Sequence, residues 1–99
     1  MAFQNKIKIE HCDGAEESLN KALNDMPNAD EDRRQLYRDQ LTVFFERFAR
    51  GERLSASSLA SEGDLPDGAK FLAMRRLPIR AYFWVSRKVK STLFVSHYQ

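Results

Sequence analysis

Apolar and polar residues alternate strictly over Lys6-Ile7-Lys8-Ile9-Glu10-His11. Ile7, Ile9 and His11 share one side, and Lys6, Lys8 and Glu10 the other. A period of two with β-branched residues predicts a half-buried strand, ended by Asp13-Gly14. From Ala15 the period lengthens: Leu19, Ala22, Leu23 and Met26 recur at the spacing of one helix face. Asp13 is placed to cap this helix, Glu16 and Glu17 suit its first turn, and Pro27 stops it. A second helix is predicted from Asn28–Glu31, capped either by an Asn28/Glu31 box or by Asp30. Tyr37, Leu41, Phe44, Phe45 and Phe48 form its apolar stripe, and Gly51 stands where a helix-ending glycine belongs. Residues 54–68, rich in Ser, Ala, Gly and Asp, read as a connecting loop with room for one helical turn.

Three strands are predicted to follow: Lys70–Arg75, Ile79–Val85 and Thr92–Tyr98. Leu77-Pro78 separates the first two, and a basic turn from Ser86 to Ser91 joins the last two. The order is therefore β-α-α-β-β-β. The short connections predict an antiparallel meander with a helical hairpin on one face, an α+β fold.

Composition narrows the function classes. At 99 residues and 42% hydrophobic, the chain suits one domain with one core. No run reaches the roughly 18 apolar residues of a membrane span, and Met1–Lys6 lacks the apolar stretch of a signal peptide. The lone Cys12 excludes an internal disulfide framework and a CxxC site, so a cytoplasmic setting is expected. No Gly-rich phosphate loop, GxSxG, HExxH or closely spaced histidine pair is present, so neither a metal nor another cofactor is expected.

The net charge of +2 hides a split. From Ala69 onward there are seven basic side chains (Lys70, Arg75, Arg76, Arg80, Arg87, Lys88 and Lys90) and no acidic one; the rest holds nine basic and fourteen acidic, a net of −5. Such asymmetry predicts an anionic partner for the C-terminal third. Within the middle predicted strand, Ile79, Ala81, Phe83 and Val85 form an apolar side that belongs against the helices. Arg80, Tyr82, Trp84 and Ser86 form the other side. Cations neutralise phosphates and aromatic rings stack on unpaired bases, so this side is a candidate surface for single-stranded RNA. The plainer reading makes Tyr82 and Trp84 cross-strand packing residues beside solubilising cations.

His97 and Tyr98 could each move a proton. Strict alternation puts His97 with Leu93 and Val95, and Tyr98 with Phe94, so one pair must face inward. His11-Cys12-Asp13 is a weaker candidate: neighbouring strand residues point to opposite faces, and Cys12 reads as a small buried residue.

The element order, together with Met74-Arg75-Arg76-Leu77-Pro78-Ile79-Arg80-Ala81-Tyr82-Phe83-Trp84 and the closing Ser96-His97-Tyr98, resembles the RelE/ParE superfamily of bacterial toxins, in particular its HigB-like branch and phage-associated relatives. The order covers nearly the whole chain, the specific motif its final third. The resemblance implies a metal-independent, ribosome-dependent mRNA endonuclease restrained by a cognate antitoxin. In such enzymes the ribose 2′-hydroxyl attacks the adjacent phosphorus, leaving a cyclic phosphate and a free 5′-hydroxyl. Carried over, Arg75 or Arg76 and Arg80 would stabilise the phosphate, and His97 or Tyr98 would handle the proton. Tyr82 and Trp84 would stack a base, with Lys70, Arg87, Lys88 and Lys90 adding to the RNA surface. Many members continue past the last strand with further basic and tyrosine residues, whereas this sequence stops at Gln99. The ParE branch poisons DNA gyrase instead, so a non-catalytic protein-binding member, or a plain RNA-binding module, is the alternative expectation.

Overall fold

The computed structural model describes residues 8–52, 59–86, 88 and 92–99. Lys6 and Ile7 of the first predicted strand, and Arg87 and Lys90 of the basic turn, lie outside the described residues. The elements are β1 (Lys8–His11), α1 (Ala15–Asn24), α2 (Glu31–Ala49), β2 (Leu59–Asp64), β3 (Lys70–Arg76), β4 (Ile79–Val85) and β5 (Thr92–Tyr98). They form an α+β fold with one five-stranded sheet in the order β1-β5-β4-β3-β2. β1 runs parallel to β5, and every other neighbouring pair is antiparallel.

The meander thus has four strands. The additional one, β2, falls within the stretch expected to be a loop. Its Leu-Ala-Ser-Glu-Gly-Asp sequence has little β-propensity, and Glu62 is bulged out between Ser61 and Gly63. It is an edge strand, held mainly by its ladder with β3, with Leu59 packed against the core and Asp64 paired with Lys70 as its side-chain contacts. Leu65–Ala69 closes this hairpin: the Ala69 N–H donates to the Asp67 carboxylate at 2.9 Å, and Gly68 supplies the positive φ of 87° that the turn needs.

The helix ends follow local chemistry. Asp30 caps α2, its carboxylate accepting from the Arg33 N–H at 2.9 Å. Asn28 is not the cap; it takes a left-handed turn with φ 57°. Gly51 ends α2 at φ 80°, with the Gly51 N–H donating to the Phe48 carbonyl and the Glu52 N–H to the Arg47 carbonyl, the paired bonds of a Schellman motif. α1 departs from expectation. Gly14, with φ 83°, stands at its N-cap and no side chain caps it, so Asp13 does not.

Both helices lie on one face of the sheet. Leu23 and Met26 from the α1 side and Tyr37, Leu41 and Phe45 of α2 pack on Met74, Ile79, Ala81, Phe83, Leu93 and Val95. Phe83 is the centre of this core: fully buried, it meets the edges of Phe45 and Phe48 at ring distances of 5.3 and 5.2 Å. Ile9 joins the same layer. Cys12 is half-buried, not fully enclosed. No helix is long and apolar enough to cross a membrane among the described residues.

Candidate nucleic-acid interface

Among the described residues the opposite sheet face carries no helix, and strand register decides what stands on it. The two-residue turn Leu77-Pro78, with a cis peptide bond, pairs Arg76 with Ile79. It follows that Arg75 opposes Arg80, Ala73 opposes Tyr82 and Phe71 opposes Trp84. Met74, Ile79 and Ala81 are in the core, so Arg75, Arg80, Tyr82, Trp84 and Phe71 all face the open side by alternation.

β5 completes this face by breaking alternation. Phe83 pairs with Val95 and Tyr82 with His97, leaving Ser96 as an extra residue in a β-bulge. Past the bulge the two faces exchange. His97 stands on the open face, and Tyr98 turns toward the helices. Strict alternation had grouped His97 with Val95 and Tyr98 with Phe94; the bulge reverses both groupings.

The open face is therefore an aromatic ladder in three rows. Trp84 stacks on Phe94 at 5.3 Å and leans on Phe71 at 6.5 Å. Phe71 lies nearly parallel to Tyr82 at 6.0 Å, and Tyr82 stacks on His97 at 4.6 Å with 14° between the rings. Both ring faces of Tyr82 are thus against other rings. The third row is charged. Arg80 is flanked by Arg75 on β3 and by Gln99, whose backbone exchanges two 2.8 Å hydrogen bonds with it. Lys8, Arg34, Arg38, Arg47, Arg50 and Lys70 each sit on a carboxylate; among the described residues Arg75 and Arg80 do not. Like charges directly opposite each other on paired strands destabilise the pair, so this row is primed for an anion.

His97 is held in place. Its Nδ1 lies 3.0 Å from the Ser96 hydroxyl, and Nε2 has no hydrogen-bond partner among the described residues. The Tyr82 hydroxyl donates to the Gln99 side-chain oxygen at 3.3 Å.

Other predicted site residues are elsewhere. Tyr98 is 5% exposed on the helix side, where its hydroxyl bonds to His11 Nε2 at 2.8 Å and its N–H donates to the Ser18 hydroxyl. Burial, with the Glu16 carboxylate adding to it, pushes the Tyr98 phenol well above its usual range. A buried, neutral phenol on the other face cannot serve chemistry beside Arg80. Arg76 also faces the helices, its guanidinium 4.5 Å from the Tyr37 ring and bonded to Gln40. Lys70 alternates onto the helix side and pairs with Asp64 at 2.9 Å. Lys88 is exposed in the β4–β5 connection. The basic third of the chain is thus divided between two faces. Phe71, Phe94 and Ser96, which sequence reasoning left out, belong to the interface. The first could have been found by counting register back from Leu77-Pro78; the bulge leaves no such trace.

Among the described residues no group of three His, Cys, Asp or Glu side chains is placed to hold a metal ion. No known protein family, curated protein or solved structure matches this chain.

Proposed function

We propose that the chain is an RNA-cleaving toxin of the RelE/ParE type, probing messenger RNA with the helix-free face of its sheet. The observation that carries this reading is the row of Arg75 and Arg80, opposed and without carboxylates among the described residues, with Arg80 the diagonal neighbour of His97 at about 7–8 Å and Arg75 one strand farther. Two guanidiniums side by side suit a phosphodiester and the extra negative charge of its pentacovalent transition state. His97 Nε2 accepts the proton of the ribose 2′-hydroxyl as that oxygen attacks phosphorus. The P–O5′ bond breaks, and the departing oxygen takes a proton from water on the open face. The products are a 2′,3′-cyclic phosphate and a 5′-hydroxyl end.

The ladder limits how bases bind. A base inserted between two rings needs roughly 6.8 Å, twice the stacking distance, while Tyr82 sits 4.6 and 6.0 Å from its neighbours. Bases therefore meet ring edges and the outer faces of His97 and Phe94. An antitoxin segment with acidic side chains would neutralise the protein by occupying the arginine row. The RelE/ParE reading also places it in the cytoplasm.

The test is synthesis of the protein without an antitoxin, followed by mapping of transcript ends. The expected result is growth arrest with cyclic-phosphate ends, abolished by His97→Ala and by Arg80→Ala. Growth arrest with intact RNA and lost supercoiling would move the reading to a gyrase-directed member. Undisturbed growth and intact RNA would reject the toxin.

A further inference from the structure

We propose that Ser96 and Tyr82 are positioning residues that present His97 as a base through Nε2. This rests on the RNA-cleavage reading and names the part of the site that makes the imidazole competent.

The bulge is the starting point. Were Ser96 paired as a regular ladder residue instead of bulged, the alternation of β5 would carry His97 onto the core face with Val95. The chain anchors the bulge from the helix side: the Tyr98 N–H donates to the Ser18 hydroxyl of α1 at 2.8 Å, and the Tyr98 hydroxyl is bonded to His11. With Tyr98 held inward, His97 has only the open face available.

Two contacts then orient the ring. Tyr82 covers one face of the imidazole at 4.6 Å, with the planes 14° apart, which fixes its tilt. The Ser96 hydroxyl lies 3.0 Å from Nδ1, which fixes which edge points away from the strand. A hydroxyl can donate or accept. When it accepts from Nδ1–H, the lone pair stays on Nε2, the nitrogen without a partner among the described residues. That bond survives when Nε2 takes up a proton, because Nδ1–H is present in both the neutral and the cationic ring. If the hydroxyl donated to Nδ1 instead, the bond would have to break at each proton transfer. The arrangement compatible with a base is the accepting one. Ser96 thus selects the Nδ1–H tautomer and holds it through the reaction, and Tyr82 keeps the ring from rotating out.

The experiment reads the imidazole directly. In ¹⁵N-labelled, RNA-free protein at a pH where His97 is neutral, the ring nitrogen shifts are expected to report the Nδ1–H tautomer. Ser96→Ala should move the population toward Nε2–H, and Ser96→Thr, which keeps the hydroxyl, should restore it. The amide spectrum of each variant checks that the bulge remains. In a translating extract, Ser96→Ala should lower the single-turnover cleavage rate at saturating RNA by on the order of tenfold or more with RNA affinity little changed, and Tyr82→Leu should lower the same saturated rate. An Nε2–H tautomer in the unaltered protein, or one insensitive to Ser96→Ala, overturns the positioning role whatever the cleavage result. The expected tautomer behaviour without any cleavage by the unaltered protein overturns the nuclease reading and leaves the orientation of His97 standing.

Discussion

Arg75 and Arg80 place a cost on the folded protein. They oppose each other across β3 and β4, and neither meets a carboxylate among the described residues. Replacing one with a neutral side chain should relieve roughly 0.2–1 kcal/mol of repulsion. Arg80→Ser is therefore expected to raise the urea midpoint slightly while weakening RNA binding; a variant that loses both would mark Arg80 as structural. Tyr98 shows the opposite balance. Its phenol ionises less readily in the fold than in the unfolded chain, whose value lies near 10. The resulting stability is fully present below about pH 10 and is lost as pH rises beyond it. Tyr98→Phe should lower stability at neutral pH by about 1 kcal/mol through loss of the His11 bond. It should also flatten the decline that sets in above about pH 10. Urea titrations of both proteins across that range test the sign.

At the scale of elements, helix ends and strand registers behave differently. The ends of α2 are local: Asp30 bonds the Arg33 N–H, and Gly51 supplies the positive φ for the closing motif. Asp30→Ala should cost about 1 kcal/mol and lower the melting temperature by several degrees, visible by circular dichroism. Strand identity is not local. β2 has four consecutive exposed residues and almost no apolar pattern, and it exists because β3 offers it a ladder. β5 satisfies the alternation rule up to Val95 and then breaks it at Ser96, since Ser18 and His11 hold Tyr98 on the far side.

For the whole molecule, the helices divide the sheet into two unlike faces. One is a packed layer centred on Phe83, fully buried against Phe45 and Phe48. Phe83→Ala should cost about 3–5 kcal/mol, a large share of the roughly 5–15 kcal/mol available to a domain of this size, and the melting curve should show it. The other face holds its aromatic rings by stacking them on one another and by the hydrogen bonds of Ser96 and Gln99, beside two guanidiniums that meet no carboxylate among the described residues. RNA affinity is expected to fall steeply with added salt, and the log–log slope should shrink by about one unit in Arg80→Ser. A slope that did not change would move the phosphate contact elsewhere.

By itself the sequence determined both helices, the three apolar strands, the Gly51 end of α2 and the apolar side of β4, and it left the α2 N-cap open between Asn28 and Asp30. Each of these follows from a period or a backbone preference that acts within a few residues. The opposition of Arg75 and Arg80 came from the structure, because β3 runs to Arg76 rather than ending at Arg75. Only the tertiary structure decided the side on which each C-terminal candidate stands. Alternation predicts sides only while a ladder is regular, and the bulge at Ser96 is held by contacts with residues some 80 positions away. The same long-range pairing set β1 parallel to β5, made a strand of Leu59–Asp64 and drew Arg76 and Lys70 to the helix side. It brought Phe71, Tyr82, Trp84, Phe94 and His97 together on the other face, because sheet order depends on which surfaces the helices cover.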